Sequence, residues 1–306
     1  MYERFYGFNA HPFALTPDPA FLFRSRRHDM ALTLLEYGLE SRAMFGLLTG
    51  DVGTGKTTLV RHLLGGVRTD LSVGVISNTH SGFTSIHPWA VSAFSVVSAD
   101  DSEISLYEAL VANFEEQYRR GRRSLLVVDE AQNLPVAVLE QLRLLSNVNS
   151  DHCLMLQVLL VGQPELRATL RRPELLQLAQ RISADYHLKP LQEAETIAYV
   201  EHRVAAAGGR NALFTAEALA LIHAHASGVP RLINQLCDMS LVYGYAVKCP
   251  MIDGSVVREV LEDRDGAGAL PIFVPSPPAD VESAASVAPP RRASRGPRRV
   301  DTDADR

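Results

Sequence analysis

Nine consecutive residues, Gly50-Asp51-Val52-Gly53-Thr54-Gly55-Lys56-Thr57-Thr58, have the types and spacing that hold a phosphate. They fit the phosphate-binding loop pattern G-x-x-x-x-G-K-S/T. Gly50, Gly53 and Gly55 permit backbone angles that side chains forbid, so successive amides can turn inward around an anion. A helix beginning at Lys56 adds free N–H groups and the positive end of its dipole. Lys56 brings a mobile charge for the outer phosphates, and the Thr57 hydroxyl is placed to ligate Mg²⁺. The flanks agree. Met44-Phe45-Gly46-Leu47-Leu48 reads as a buried strand, and Leu59, Val60, Leu63 and Leu64 recur at helical spacing. A glycine turn before an ordinary helix is the competing account, and strand, loop and helix together outweigh it. A nucleoside triphosphate is the expected ligand.

Asp129 and Glu130 close the apolar run Ser124-Leu125-Leu126-Val127-Val128. Acids at the carboxyl end of a buried strand stand where ligands bind in open parallel sheets. Asp129 suits holding Mg²⁺ through water, and Glu130 suits orienting and activating an attacking water. An acidic helix start is the bland account; a phosphate loop upstream favours the catalytic one. Gln163 ends the next apolar run, 154–161, where its amide can hold the terminal phosphate or the water. A turn at Pro164 competes with that role. Asn78 ends the strand 72–77 and can hold Glu130 aside until a partner binds. Arg181 closes a helix just before the last core strand, and Arg231 opens a helix in Gly228-Val229-Pro230-Arg231. Arginine is abundant here, so composition alone would make either one a surface charge.

These residues need a scaffold, and the remaining chain supplies its pattern. Apolar strands alternate with helices expected at 28–42, 86–97, 104–119 and 136–145. That alternation indicates an α/β fold, a parallel sheet flanked by helices. After Pro190 the chain reads as helices only, at 193–207, 215–227, 231–247 and 254–262, with Gly208, Gly209, Gly228 and Pro230 as stop signals. The expected units are an aromatic strap and helix at 1–43, a nucleotide-binding core at 44–190, a small all-α lid at 191–264 and a disordered Pro/Ala/Arg-rich tail at 265–306. Residues 1–27 hold seven of the chain's twenty Phe and Tyr, while Pro12, Pro17 and Pro19 keep them extended. This segment is expected to form neither helix nor central strand. Its rings are expected in the core, with a cover over the nucleotide base as the lesser reading. The arginines between 291 and 299 lie among aspartates in a tail read as solvated.

Bulk properties narrow the function classes. At 306 residues and 46% hydrophobic content the chain can fill a sizeable core. A net charge of −5 makes no overall case for nucleic acid or an anionic membrane. Cys153, Cys237 and Cys249 form no metal-ligand pattern and imply a reduced interior. No apolar run is long enough to cross a bilayer, and the N-terminus lacks a signal-peptide pattern. The expected location is the cytoplasm, with any membrane association made through a partner.

The loop, Leu126-Val127-Val128-Asp129-Glu130-Ala131-Gln132, Gly162-Gln163-Pro164-Glu165-Leu166 and Gly228-Val229-Pro230-Arg231 occur in the order of AAA+ ATPases. With Phe5-Tyr6-Gly7-Phe8, Pro12-Phe13 and Thr16-Pro17-Asp18-Pro19, residues 1–263 resemble the ATPase part of the general secretion pathway protein A (ExeA-type) family. Its short relatives are associated with exopolysaccharide or exosortase genes. The resemblance implies ATP and Mg²⁺ as ligands, with Lys56 and Thr57 at Walker A and Asp129 and Glu130 at Walker B. It places Gln163 at sensor 1, Arg181 where an arginine finger would lie and Arg231 at sensor 2. It implies an ATP-dependent homo-oligomer that assembles or regulates an envelope secretion or polysaccharide-export system. The sequence shows neither the transmembrane helix nor the periplasmic peptidoglycan-binding domain of the full-length secretion protein, so a direct role at the cell wall is not carried over. A DNA-associated ATPase of the transposition-helper type is the alternative, disfavoured by the acidic balance and the lack of an added DNA-binding element.

Overall fold

Five runs rich in apolar and β-branched residues form the strands of one sheet: β1 (Phe45–Gly50), β2 (Leu71–Ile76), β3 (Arg123–Val128), β4 (Leu156–Gly162) and β5 (Ile182–Leu188). The computed structural model describes residues 1–266, apart from 16–20, 67–69, 78, 150–152 and 211. The strand order is β2-β3-β4-β1-β5, and all four pairings are parallel. The α/β expectation therefore holds. Every residue of β4 is buried, as a strand covered on both faces requires.

Alternate side chains of the same strands feed two separate cores. Phe45, Leu47, Leu126, Val128, Val158 and Leu160 pack with Leu139, Leu142 and Leu145 of α6 (Val136–Leu145) and with Leu110 and Phe114 of α5 (Glu103–Arg119). Leu48, Leu125, Val127, Leu159 and Val161 face the other way. They meet Ala31, Leu32 and Leu35 of α2 (Arg26–Glu40) and Leu59, Val60 and Leu63 of α3 (Lys56–Gly65). A fully buried leucine contributes roughly 1.5–3 kcal/mol, so the strand period of two fixes both faces firmly.

After β5 the chain is helical: α9 (Glu193–Ala206), α10 (Ala216–Ala226), α11 (Pro230–Ala246) and α12 (Gly254–Gly266). These helices share a third core, and Tyr2, Tyr6, Phe8 and Phe13 belong to it. Gly228 joins them to the sheet. Its φ is +73°, its carbonyl accepts the Leu191 N–H at 2.8 Å, and an added Cβ would lie 1.9 Å from the Leu191 carbonyl oxygen. Gly228→Ala is expected to cost on the order of 3 kcal/mol or more, from strain and backbone clash together. Chemical denaturation of the variant beside wild type checks this.

Two local expectations need correction. Glu3–Tyr6 form a one-turn helix, α1, because no proline occurs before Pro12. Gly7, at φ +78°, ends it, and the Phe8 N–H bonds to the Glu3 carbonyl at 2.7 Å. The helix expected over 86–97 is only α4 (His87–Ala93), begun by Pro88 in its first turn. It stops because Phe94 packs against Gly74 of β2, where a Cβ would meet the ring at 3.0 Å, and Ser95 follows at φ +53°. The expectations for Asn78, for residues 16–19 and for the tail beyond 266 lie outside the described residues.

Candidate nucleotide site

β1 and α3 deliver the loop where their sequences require it. Gly53 and Gly55 have φ of +81° and +97°, which only glycine adopts without strain. The Thr54 N–H and hydroxyl both reach the Asp51 carbonyl, at 3.3 and 2.8 Å, drawing the loop into a closed turn. Lys56 is buried at 6% exposure, and its ammonium donates to the carbonyls of Gly50 (2.7 Å) and Asp51 (2.9 Å). Burial pulls its pKa below the ordinary lysine value, against the opposing pull of Glu130, Asp129, Asp51 and Glu165. A desolvated ammonium held only by neutral carbonyls gains strongly from an anion.

Residues 52–58 and Glu130 line a cavity of about 340 Å³, a size suited to a small ligand. The acids arrive from β3, two strands from β1. The Thr57 hydroxyl donates to Asp129 Oδ2 at 2.8 Å across 72 residues of sequence. Glu130 takes a left-handed conformation, φ +53°, which is unusual for a residue with a side chain. Thr79 holds that turn, its hydroxyl reaching the carbonyls of Glu130 (2.7 Å) and Asp129 (3.1 Å). Gln132 Nε2 donates to Glu130 Oε2 at 2.6 Å, and Gln163 Nε2 reaches the same oxygen at 3.3 Å. Gln132 also accepts the Gln163 N–H at 3.0 Å, tying the ends of β3 and β4 together.

The two arginines separate. Arg231 begins α11 and lines the cavity; its N–H donates to the Gly53 carbonyl at 3.2 Å. A Cβ on Gly53 would meet Arg231 Cβ at 2.6 Å, so this glycine admits the helical segment to the loop. Arg181 caps α8 (Leu176–Gln180), which follows α7 (Pro164–Leu170) and stands ahead of β5. Ile182 pairs with Phe45 while Leu188 pairs with Gly50, so Arg181 lies at the far edge of the sheet. At ~3.3 Å per residue that separation is roughly 20 Å. There Arg181 Nη1 donates to Ser146 Oγ (2.6 Å), Asn147 Oδ1 (2.9 Å) and the Arg143 carbonyl (3.2 Å).

Several site residues escaped the sequence. Thr79, His28 and a group on α9 and α11 carry no motif that marks them, and Gln132 lies in the Asp129-Glu130 segment without a role that spacing assigns. In that group Arg203 is buried, donating to the carbonyls of Pro12 (2.6 Å) and Ala14 (3.2 Å) and to the Tyr199 hydroxyl (3.1 Å). Tyr199 in turn donates to Asn234 at 2.8 Å. Arg203 thereby fastens the N-terminal strap, and Leu15, Phe21, Leu22 and Phe23 wall the outer cavity. The strap's aromatics divide: four sit in the helical core, and Phe21 and Phe23 also face the cavity.

A five-stranded parallel sheet with this loop after its β1 strand is the fold of a P-loop protein. The sequence matches the AAA domain family over residues 39–170. It is 42% identical over 247 residues to general secretion pathway protein A of Aeromonas hydrophila, covering 80% of this chain and 45% of that protein. The chain thus spans less than half of that relative's length. Among solved structures, Cdc6p of Pyrobaculum aerophilum superposes with a TM-score of 0.63 at 16% identity, over 82% of this chain and 70% of that one. The Aeropyrum pernix ORC2 protein gives 0.62 at 19% identity, over 85% and 73%. A Walker-type ATPase of Pyrococcus abyssi gives 0.58 at 17% identity, over 84% and 77%. The chain is an AAA-domain protein related to general secretion pathway protein A. No helix among the described residues is long and apolar enough to cross a membrane.

Proposed function

We propose that the chain is an ATPase that binds ATP with Mg²⁺ and works as an oligomeric switch for a bacterial envelope secretion or polysaccharide-export system. The observation that carries the ATPase reading is the convergence of Lys56, Thr57 and Glu130 on one cavity, with Asp129 bonded to Thr57 behind them. Its inner end offers loop amides and an ammonium for phosphates, and its outer end offers the apolar walls that a nucleoside needs. The residues fit the metal as well, since a hydroxyl and a carboxylate 2.8 Å apart are the hard oxygen donors that Mg²⁺ takes alongside water. Mg²⁺ when bound supplies positive charge at the terminal phosphates.

The protein's own groups do the rest. Lys56 holds the outer phosphate oxygens. Glu130, oriented by Gln132 and Gln163, positions water and accepts its proton. Arg231 reaches the nucleotide of its own chain, and its N–H on Gly53 links the lid helices to the loop. Arg181 serves a neighbouring subunit. The 42% identity to the Aeromonas protein supports the secretion setting. ATP with Mg²⁺ at a hundredfold excess over its dissociation constant is expected to stabilise the protein by about 2.7 kcal/mol. A melting scan tests this, with Lys56→Ala showing little shift. An unchanged wild-type midpoint at saturating ATP overturns the reading.

A further inference from the structure

His28 stands at the start of α2, outside every motif, yet it lines the cavity at 6% exposure. Its Nδ1 lies 2.8 Å from Ser25 Oγ, and that same oxygen accepts the His28 N–H at 3.3 Å. A hydroxyl that accepts the His28 N–H is free to donate its own hydrogen to Nδ1, and in that tautomer the ring proton is on Nε2. Nε2 faces the loop: a Cβ built on Gly55 would lie 3.3 Å from it. Burial lowers the ring's pKa, opposed first by the Thr54 backbone beside it and then by the more distant charges of Glu195 and Asp29. A backbone group that favours the protonated ring is a carbonyl, and Thr54 supplies it.

Four other loop carbonyls have partners of their own. Gly50 and Asp51 hold Lys56, Gly53 holds Arg231, and Gly55 accepts the Leu59 N–H at 2.9 Å. The Thr54–Gly55 peptide leads into a glycine of positive φ, which resists rotation of the peptide plane less than a residue with a side chain would. In a trans peptide the C=O and the next N–H point in opposite directions. We infer that His28 is a positioning residue for the phosphates: it draws the Thr54 carbonyl outward and thereby aims the Gly55 N–H into the cavity. This inference rests on the nucleotide reading above.

The test is calorimetric titration of wild type, His28→Leu and His28→Gln with ADP and with AMP. Leucine keeps the bulk and removes the donor, while glutamine can place an amide N–H near the Nε2 position. His28→Leu is expected to bind ADP about tenfold to a hundredfold more weakly, the range for one lost hydrogen bond to a charged group. AMP, without the β-phosphate, should change by less than threefold, roughly the limit of a bystander effect. His28→Gln should recover most of the ADP affinity. If wild type binds neither nucleotide, the nucleotide reading itself fails and this inference with it. If wild type binds ADP and a folded His28→Leu binds it equally well, His28 is a core histidine and the inference is overturned. Equal losses for ADP and AMP, or no recovery in a folded His28→Gln, would show that the ring acts by packing alone. Should His28→Leu not fold, His28→Ala takes its place against the same outcomes.

Discussion

Glu130→Gln is expected to bind ATP as wild type does and to hydrolyse it about 10²–10⁴-fold more slowly, the usual contribution of a general base. The arrangement around Glu130 makes the substitution clean. Oε2 receives two amide N–H groups, from Gln132 and Gln163. A glutamine at 130 satisfies both donors by turning its oxygen to them, which leaves an NH₂ facing the cavity. That group cannot accept a proton from water. Asp129 and Thr57 keep their 2.8 Å contact, so metal and phosphate binding should survive. Calorimetry for binding and phosphate release for turnover check both halves. Turnover near wild type would mean that another residue activates the water.

Arg181→Ala is expected to lower hydrolysis by about 10³–10⁵, the contribution of an arginine finger supplied by a neighbour. The parallel register puts Arg181 at the edge of the sheet opposite its own loop, out of reach of its own nucleotide site, so a role in hydrolysis has to be played in trans. Its Nη1 partners are two side-chain oxygens and a carbonyl, all neutral, which orient the guanidinium without cancelling its charge. The planar fork can then hold two phosphate oxygens as charge develops. Mixing Arg181→Ala, with a sound loop, and Lys56→Ala, with a sound finger, should restore activity that neither has alone. Specific activity should also rise with protein concentration. If Arg181→Ala hydrolyses ATP like wild type, Arg181 is a surface charge and the model of action in trans fails.

Patterns that act over a few residues are legible in the chain itself. The loop, the strand before it, the helix after it, the acids at the end of β3 and the all-helical stretch after β5 each depend on spacing within one segment. Steric allowance at glycine and hydrophobic periodicity are local, so a sequence displays them directly. The limits of local reading show in α1 and α4. A turn without proline formed a helix, and a ring packed on a distant glycine ended one.

Contacts between distant segments were decided only by the fold. The parallel order β2-β3-β4-β1-β5 puts β4 between the loop strand and the acids, so Gln163 and Gln132 close on Glu130. Nothing local marks Arg203 for the strap, because its acceptors there are main-chain carbonyls that every residue carries. His28 reads along the chain as one polar position of an amphipathic helix. Its place against Gly55 follows from α2 packing beside α3 on the sheet. Residue types and spacing determined which chemistry this protein holds. Register and packing, which join residues far apart in sequence, decided which side chains orient it.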